Sequence, residues 1–282
     1  MKKITLLATL GIAFGLTFAL SSCGNKKSEE DIDFRSYSNE VTEAEFTEKY
    51  NALTTKTFDV YTLNSYSYKK SEYQKGDVST YRLEEEKEVT KYNKQENKYA
   101  YVSDEYHYIE NPNETYKISR KKDLYKVITE DNSSSYYSKE ETAYDNIDLT
   151  YYTSYSYKSY SGSINPVYNA PQKSTSESNT IKYFVDDDLF TVVIKSKEEK
   201  KKDYNDLTQS DGYNYEYKFQ LKLGEKEAFI KYKLVNEYSY SYTEDNVKTK
   251  YKNSSVTVYS KEYILEAPTF DVIDTSKYTL EN

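Results

Sequence analysis

The chain has 282 residues, a formal charge of −8 and a hydrophobic content of 37%, a length that suits one large domain or two small ones. Its acidic balance lacks the basic surface that binding nucleic acid by counterion release requires, and it disfavours contact with anionic lipid headgroups. One histidine and one cysteine exclude a His-rich zinc site and any disulfide within the chain, so no metal or other cofactor is expected. The 36 tyrosines offset the low aliphatic content, because a tyrosine ring can be buried while its hydroxyl stays wet. An AT-rich genome would give the same Tyr, Lys, Asn, Ser and Glu bias without any binding role for the tyrosines.

Met1-Lys2-Lys3 is a positive n-region, residues 4–20 are apolar, and Ser21 and Ser22 lead into Cys23. This is the layout of a secretory signal, to be set apart from the fold. The run is shorter than the roughly 20 apolar residues a membrane-spanning helix needs. Cys23 has no neighbouring histidine to lower its pKa, which argues against a catalytic thiol.

Leu20-Ser21-Ser22-Cys23 resembles, position by position, the lipobox of bacterial lipoproteins. The resemblance implies cleavage between Ser22 and Cys23 and diacylation of the Cys23 sulfur. It also implies anchoring at the bacterial cell membrane, facing the extracytoplasmic side. Two acyl chains hold a protein stably where one does not. Loss of residues 1–22, with Lys2 and Lys3, would take the formal charge from −8 to −10.

Residues 23–40 are charged and lack an apolar period, which reads as a lipidated cysteine followed by a flexible tether. As a coil such a tether spans roughly 22 Å. Residues 41–53 read as a helix, with Thr42 as N-cap, Glu45 completing a capping box and Val41 and Phe46 placed for a hydrophobic staple. Phe46, Tyr50 and Leu53 share one face. From Thr57 the period drops to 2, and Phe58, Val60, Tyr61, Leu63, Tyr66 and Tyr68 shift phase twice, as bulges would cause. Gly76-Asp77 marks a turn, residues 78–92 a charged strand, 93–97 a turn and 98–110 another strand. Two short strands, 116–120 and 124–129, are expected around a turn at Lys121-Lys122-Asp123. Residues 131–180 lack a sustained apolar period and read as an irregular insertion beside the sheet.

The second strand series begins at Ile181. Asp186-Asp187-Asp188 turns the chain, Phe190, Val192 and Ile194 return it, and residues 195–211 read as a charged connection. Tyr213, Tyr215, Tyr217, Phe219, Leu221 and Leu223 are the clearest alternation in the chain, closed by a Gly224-Glu225 turn. Four further segments, 229–235, 238–242, 247–251 and 256–265, precede an exit at Ala267-Pro268-Thr269. A polar tail from Asp271 to Tyr278 is placed to fold back on the domain.

Residues 41–282 therefore read as a single mainly β (α+β) extracytoplasmic domain with one helix and about ten meandering strands. The expected architecture is one curved antiparallel sheet, a half-barrel, with the N-terminal helix on its concave side. This order resembles the lipoprotein-carrier half-barrels of the LolA and LppX type, and that resemblance implies architecture alone.

Enzymatic readings lack parts, since no nucleophile elbow, phosphate-binding loop or dinucleotide motif occurs. His107 lies between Tyr106 and Tyr108 on a strand and is expected to face away from both, as an ordinary strand histidine. Asp186-Asp187-Asp188 and Asp203-Tyr204-Asn205-Asp206 look like weak calcium loops. The first supplies too few oxygens and Thr208 takes the place of the glycine in the second, so both read as solvated turns. Ser-Tyr-Ser-Tyr recurs at 65–68, 154–157 and 239–242, and each copy puts two rings on one strand face. Such rows can be ordinary cross-strand packing or a wall for lipid tails, glycan rings or a peptide. The leading expectation is a non-enzymatic lipoprotein that binds a hydrophobic or amphipathic ligand in a half-barrel cavity bounded by Tyr217, Phe219, Leu221 and Phe229. The alternative is a surface adhesin or protein-interaction module that uses tyrosine-rich loops such as residues 144–160.

Overall fold

Long strands need an uninterrupted ladder, and among the described residues no proline lies in a strand and Gly212 is the only glycine inside one. The computed structural model describes residues 32–111, 114–128, 134–145, 163–164, 180–204, 207–244 and 247–281. The leader, Ser22, Cys23 and the Ser-Tyr-Ser-Tyr copy at 154–157 lie outside the described residues.

The chain opens with β1 (Glu40–Val41), α1 (Glu43–Asn51) and β2 (Lys56–Thr57). A first meander follows: β3 (Val60–Lys75), β4 (Val78–Asn93), β5 (Lys98–Asn111), β6 (Glu114–Ile128) and β7 (Ser134–Asp145). A short β8 (Ser163–Ile164) pairs with β2. The second meander is β9 (Thr180–Asp186), β10 (Leu189–Tyr204), β11 (Leu207–Leu223), β12 (Glu227–Glu244) and β13 (Val247–Ile264). One 3-10 turn at Thr275–Lys277 and β14 (Thr279–Glu281) end it.

The result is one curved, open antiparallel sheet in the order β1-β9-β10-β11-β12-β13-β3-β4-β5-β6-β7-β14. The last strand of the second meander pairs with the first strand of the first, from Tyr251↔Lys75 to Ile264↔Thr62. The half-barrel with one N-terminal helix expected from the sequence is the fold.

Thr42 caps α1 through both arms of the capping box, its Oγ1 accepting from the Glu45 N–H at 3.2 Å and its own N–H donating to Glu45 Oε2 at 2.9 Å. The helix lays Phe46 and Tyr50 on one sheet face. The Phe46 ring sits 5.1 Å from Tyr183 and 5.8 Å from Phe190, and Tyr50 lies edge-on to Phe190 and Phe219. Val192, Leu221 and Ala228 beneath them are fully buried. Leu53 packs at the margin of the same cluster, and Ile164 joins it.

Several local expectations change. The phase shifts after Phe58 are not bulges, because β3 pairs residue for residue with β4 over its whole length. Instead the aromatic residues change face: Tyr61 and Leu63 share one, Tyr66 and Tyr68 the other. Lys121-Lys122-Asp123 is no turn but the middle of β6, with Lys122 opposite Ser103 and almost fully buried. Within the expected irregular insertion, Ser134–Asp145 is a sheet strand. Residues 195–204 and 207–211 extend β10 and β11 rather than connecting them, and the segments assigned to 229–242 and 247–265 merge into β12 and β13. In each case polar side chains hid a strand that backbone pairing makes continuous, since a ladder needs only the N–H and C=O groups.

The tail folds back as expected. It passes Lys91, whose Nζ lies 3.5 Å from Asp271, stacks Tyr278 edge-on to Tyr125 at 5.6 Å, and adds β14 to the outer edge of β7. Burial in this region pushes the Asp123 carboxyl above its ordinary value. A carboxyl raised in the folded state costs stability as pH rises through its folded pKa. Asp123→Asn is therefore expected to melt higher than the parent at pH 7, with the gain vanishing below about pH 4, where the unfolded carboxyl is also protonated. Phe46→Ala should cost about 3–5 kcal/mol in denaturant unfolding, and Thr42→Ala about 1 kcal/mol.

Candidate functional site

Because antiparallel partners share a face, the pairing sorts every side chain onto one of two surfaces. The helix face carries odd residues of β11, even residues of β12 and odd residues of β13 and β3. A single row across it runs Phe190, Leu221, Ile230, Lys261, Ser65, Glu88, Ser103, Lys122. Along this row the helix face is apolar from β10 to β12 and polar from β13 to β6. On the polar side the Tyr101 hydroxyl donates to Glu88 Oε1 at 2.8 Å, and Ser103 is buried.

Beyond the reach of α1, the apolar half continues as tyrosines. Tyr217, Tyr232 and Tyr259 form a row across three strands with ring spacings of 6.2 and 5.2 Å. Tyr213 and Tyr215 stack along β11 at 6.2 Å, and Tyr240 lies flat on Tyr251 at 4.5 Å with an interplanar angle of 2°. Desolvation raises the pKa values of Tyr213, Tyr215 and Tyr232, the mark of rings seated in an apolar setting. Asn236, Ser255 and Thr257 share this surface. Leu234 completes it between Tyr217 and Thr257.

The four residues expected to bound a cavity do not form one wall. Phe219 and Leu221 are sealed in the core cluster at 2% and 0% exposure. Phe229 pairs with Lys222 and so lies on the opposite face. Tyr217 alone of the four is half-buried at the margin of the cluster. The Ser-Tyr-Ser-Tyr copies divide in the same way: Tyr66 and Tyr68 lie opposite the helix face, whereas Tyr240 lies on it. Sequence spacing places two rings on one face but does not say which face, and pairing decides that.

The opposite face is crossed by an extended strap, Asp33–Asn39, where the sequence suggests a free tether. Buried Gln220 holds it with its side-chain amide, accepting from the Arg35 N–H at 2.8 Å and donating to the Arg35 carbonyl at 2.8 Å and to Thr191 Oγ1 at 3.1 Å. Lys231 donates to the Asp33 carbonyl at 2.9 Å, pairs with Glu262 at 2.9 Å and lies over the Phe229 ring. The Lys218 ammonium sits 4.4 and 4.7 Å from the Phe34 and Tyr37 rings, and desolvation lowers its pKa. Asp186, in a turn the sequence gives as solvated, accepts from the backbone N–H groups of Ser38 and Asn39. The second such turn, Asp203-Tyr204-Asn205-Asp206, reaches residues outside the described ones.

His107 faces away from Tyr106 and Tyr108, as expected, with Nδ1 4.0 Å from Glu84 and Nε2 4.0 Å from Glu105. Among the described residues, no group of His, Cys, Asp and Glu is placed to hold a metal ion, and no helix is long and apolar enough to cross a membrane. A shallow hollow of about 210 Å³ opens on the strap face around Lys197, Gly212, Asn214, Glu237, Ser239 and Lys252. A Cβ at Gly212 would meet Ser239 Oγ at 2.8 Å, so any larger residue on the floor of the hollow would make the Ser239 side chain shift. No protein-family model, curated protein or solved structure matches the chain.

Removing the Gln220 amide leaves the Arg35 N–H and carbonyl without partners. Gln220→Ala is expected to cost about 1–3 kcal/mol and to speed amide exchange across residues 33–39, measured by hydrogen-exchange mass spectrometry. Unchanged exchange there would mean that the strap is held by its other contacts.

Proposed function

We propose that this chain is a membrane-anchored extracytoplasmic lipoprotein, lipidated on Cys23, that binds an amphipathic ligand rather than catalysing a reaction. The observation that carries the binding assignment is the tyrosine surface of the helix face, which α1 leaves partly uncovered beyond a fully packed core. Rings supply apolar area there, while hydroxyls and the side chains of Asn236, Ser255 and Thr257 supply polar partners. A purely hydrocarbon ligand would leave those polar groups without partners, which costs free energy, so the surface suits a ligand with both characters. The ligand-contacting residues in this reading are Tyr217, Leu234, Tyr232 and Tyr259. Phe219 and Leu221 shape the site only through the core, and Phe229 takes no part.

The test has two arms. Intact mass of the protein extracted from bacterial membranes should correspond to a chain starting at Cys23 and carrying a diacylglyceryl group. Organic extracts of leaderless Cys23→Ser protein should contain a stoichiometric amphipathic molecule, lost by at least tenfold in Tyr217→Ser/Tyr232→Ser. A folded protein that yields clean extracts would move the assignment to a protein-interaction module.

A further inference from the structure

The strap determines where the chain leaves the fold. Its first fixed point, the Asp33 carbonyl on Lys231, is ten residues after Cys23. Ten residues reach at most about 35 Å when fully extended, and about 17 Å as a coil. Lys231 lies four residues from the Glu227 end of β12, about 13 Å. Passing round that end to the helix face would use more than a third of the lead at full stretch and most of it as a coil. An anchor on Cys23 therefore pulls on the strap face. Turning the helix face towards the membrane would require the same short lead to pass round the sheet.

Charge on the strap face is consistent with that pull. Beyond the strap, β10–β13 present exposed Lys195, Lys197, Lys250 and Lys252 there, against Glu216 and Glu237. This is a cationic excess on a chain of formal charge −8. Charges spread within about a Debye length of an anionic surface attract it even when the whole molecule is acidic, because more distant charges are screened. We infer that the strap face of β10–β13 lies against an anionic bilayer, so that the tyrosine surface looks away from the membrane. The inference rests on the anchoring reading of Cys23, and it replaces the expectation from net charge that the domain avoids anionic headgroups.

The chain has no tryptophan and one cysteine, which makes the test direct. Leaderless protein is coupled through Cys23 to a maleimide-bearing lipid, in vesicles of neutral lipid or of neutral lipid with phosphatidylglycerol. The coupling supplies the anchor whether or not a cell lipidates Cys23, so failure of this inference is distinguishable from failure of the lipoprotein reading, which the intact mass decides. Tyr66→Trp reports from the strap face beside Lys231, and Tyr215→Trp from the helix face. Tyr238→Trp replaces the latter if it does not fold. Energy transfer to a dansyl headgroup lipid is expected to be at least twofold greater from Tyr66→Trp in anionic vesicles. The difference should shrink in neutral vesicles and after Lys195→Glu/Lys252→Glu. Equal transfer from both faces, or a difference unaffected by lipid charge, would overturn the inference.

Discussion

The ladder between β13 and β3 is the interaction on which the rest depends. It joins strands separated by some 180–200 residues, from Tyr251↔Lys75 to Ile264↔Thr62, and so turns two meanders of local hairpins into one sheet. Without it each meander would expose a long strand edge, a template for unwanted pairing. The entropic cost of closing so long a loop grows only logarithmically with its length. The kinetic consequence is larger, because pairing this remote in sequence is slow to form. The core cluster spans the joint, with Tyr61 on β3 edge-on to Tyr263 on β13. Apolar burial centred on α1 and β9–β12 thus reaches across the joint between the two halves.

The sheet stays open, and the two chain ends deal with its edges. β1 covers part of β9, and β14 covers part of β7. Between them β9 pairs with β10 from Leu189↔Asp186 to Lys195↔Thr180. The strap and the C-terminal tail also cover parts of the sheet opposite the helix, so short terminal segments stabilise a sheet whose strands are polar over much of their length.

This division of labour leaves the helix face as the surface with unassigned apolar area. α1 occupies only the end where Phe190, Phe219 and Leu221 are packed, and the tyrosines beyond it combine buried rings with polar neighbours. The proposed binding by such a surface would differ from binding in a closed cavity, with ligand contact from rows of rings across neighbouring strands and selectivity from the hydroxyls and amides between them.

How much was legible in the sequence follows from which signals are local. The α1 capping box is written in Thr42 and Glu45, three residues apart, and the hairpin turns at Gly76-Asp77, Asp187-Asp188 and Gly224-Glu225 follow from residues that tolerate or favour turns. Alternation from Tyr213 to Leu223 similarly identifies β11. Strands such as β7 and the second half of β10 escaped, because their side chains carry no apolar period and only pairing with a neighbour reveals them. The tyrosine surface was half legible: spacing put the rings in pairs, but Tyr66 and Tyr240, from identical motifs, ended on opposite faces.

By itself, then, the sequence determined the helix, the hairpin turns at Gly76-Asp77, Asp187-Asp188 and Gly224-Glu225 and the antiparallel order, all of which depend on residues close together in the chain. The tertiary structure alone decided that Phe229 faces away from Leu221, that Asp33–Asn39 is a strap held by Gln220 and Lys231, and that the tail becomes an edge strand. Each of these is a pairing between distant segments, and a one-residue change of register would reverse the face of every side chain involved.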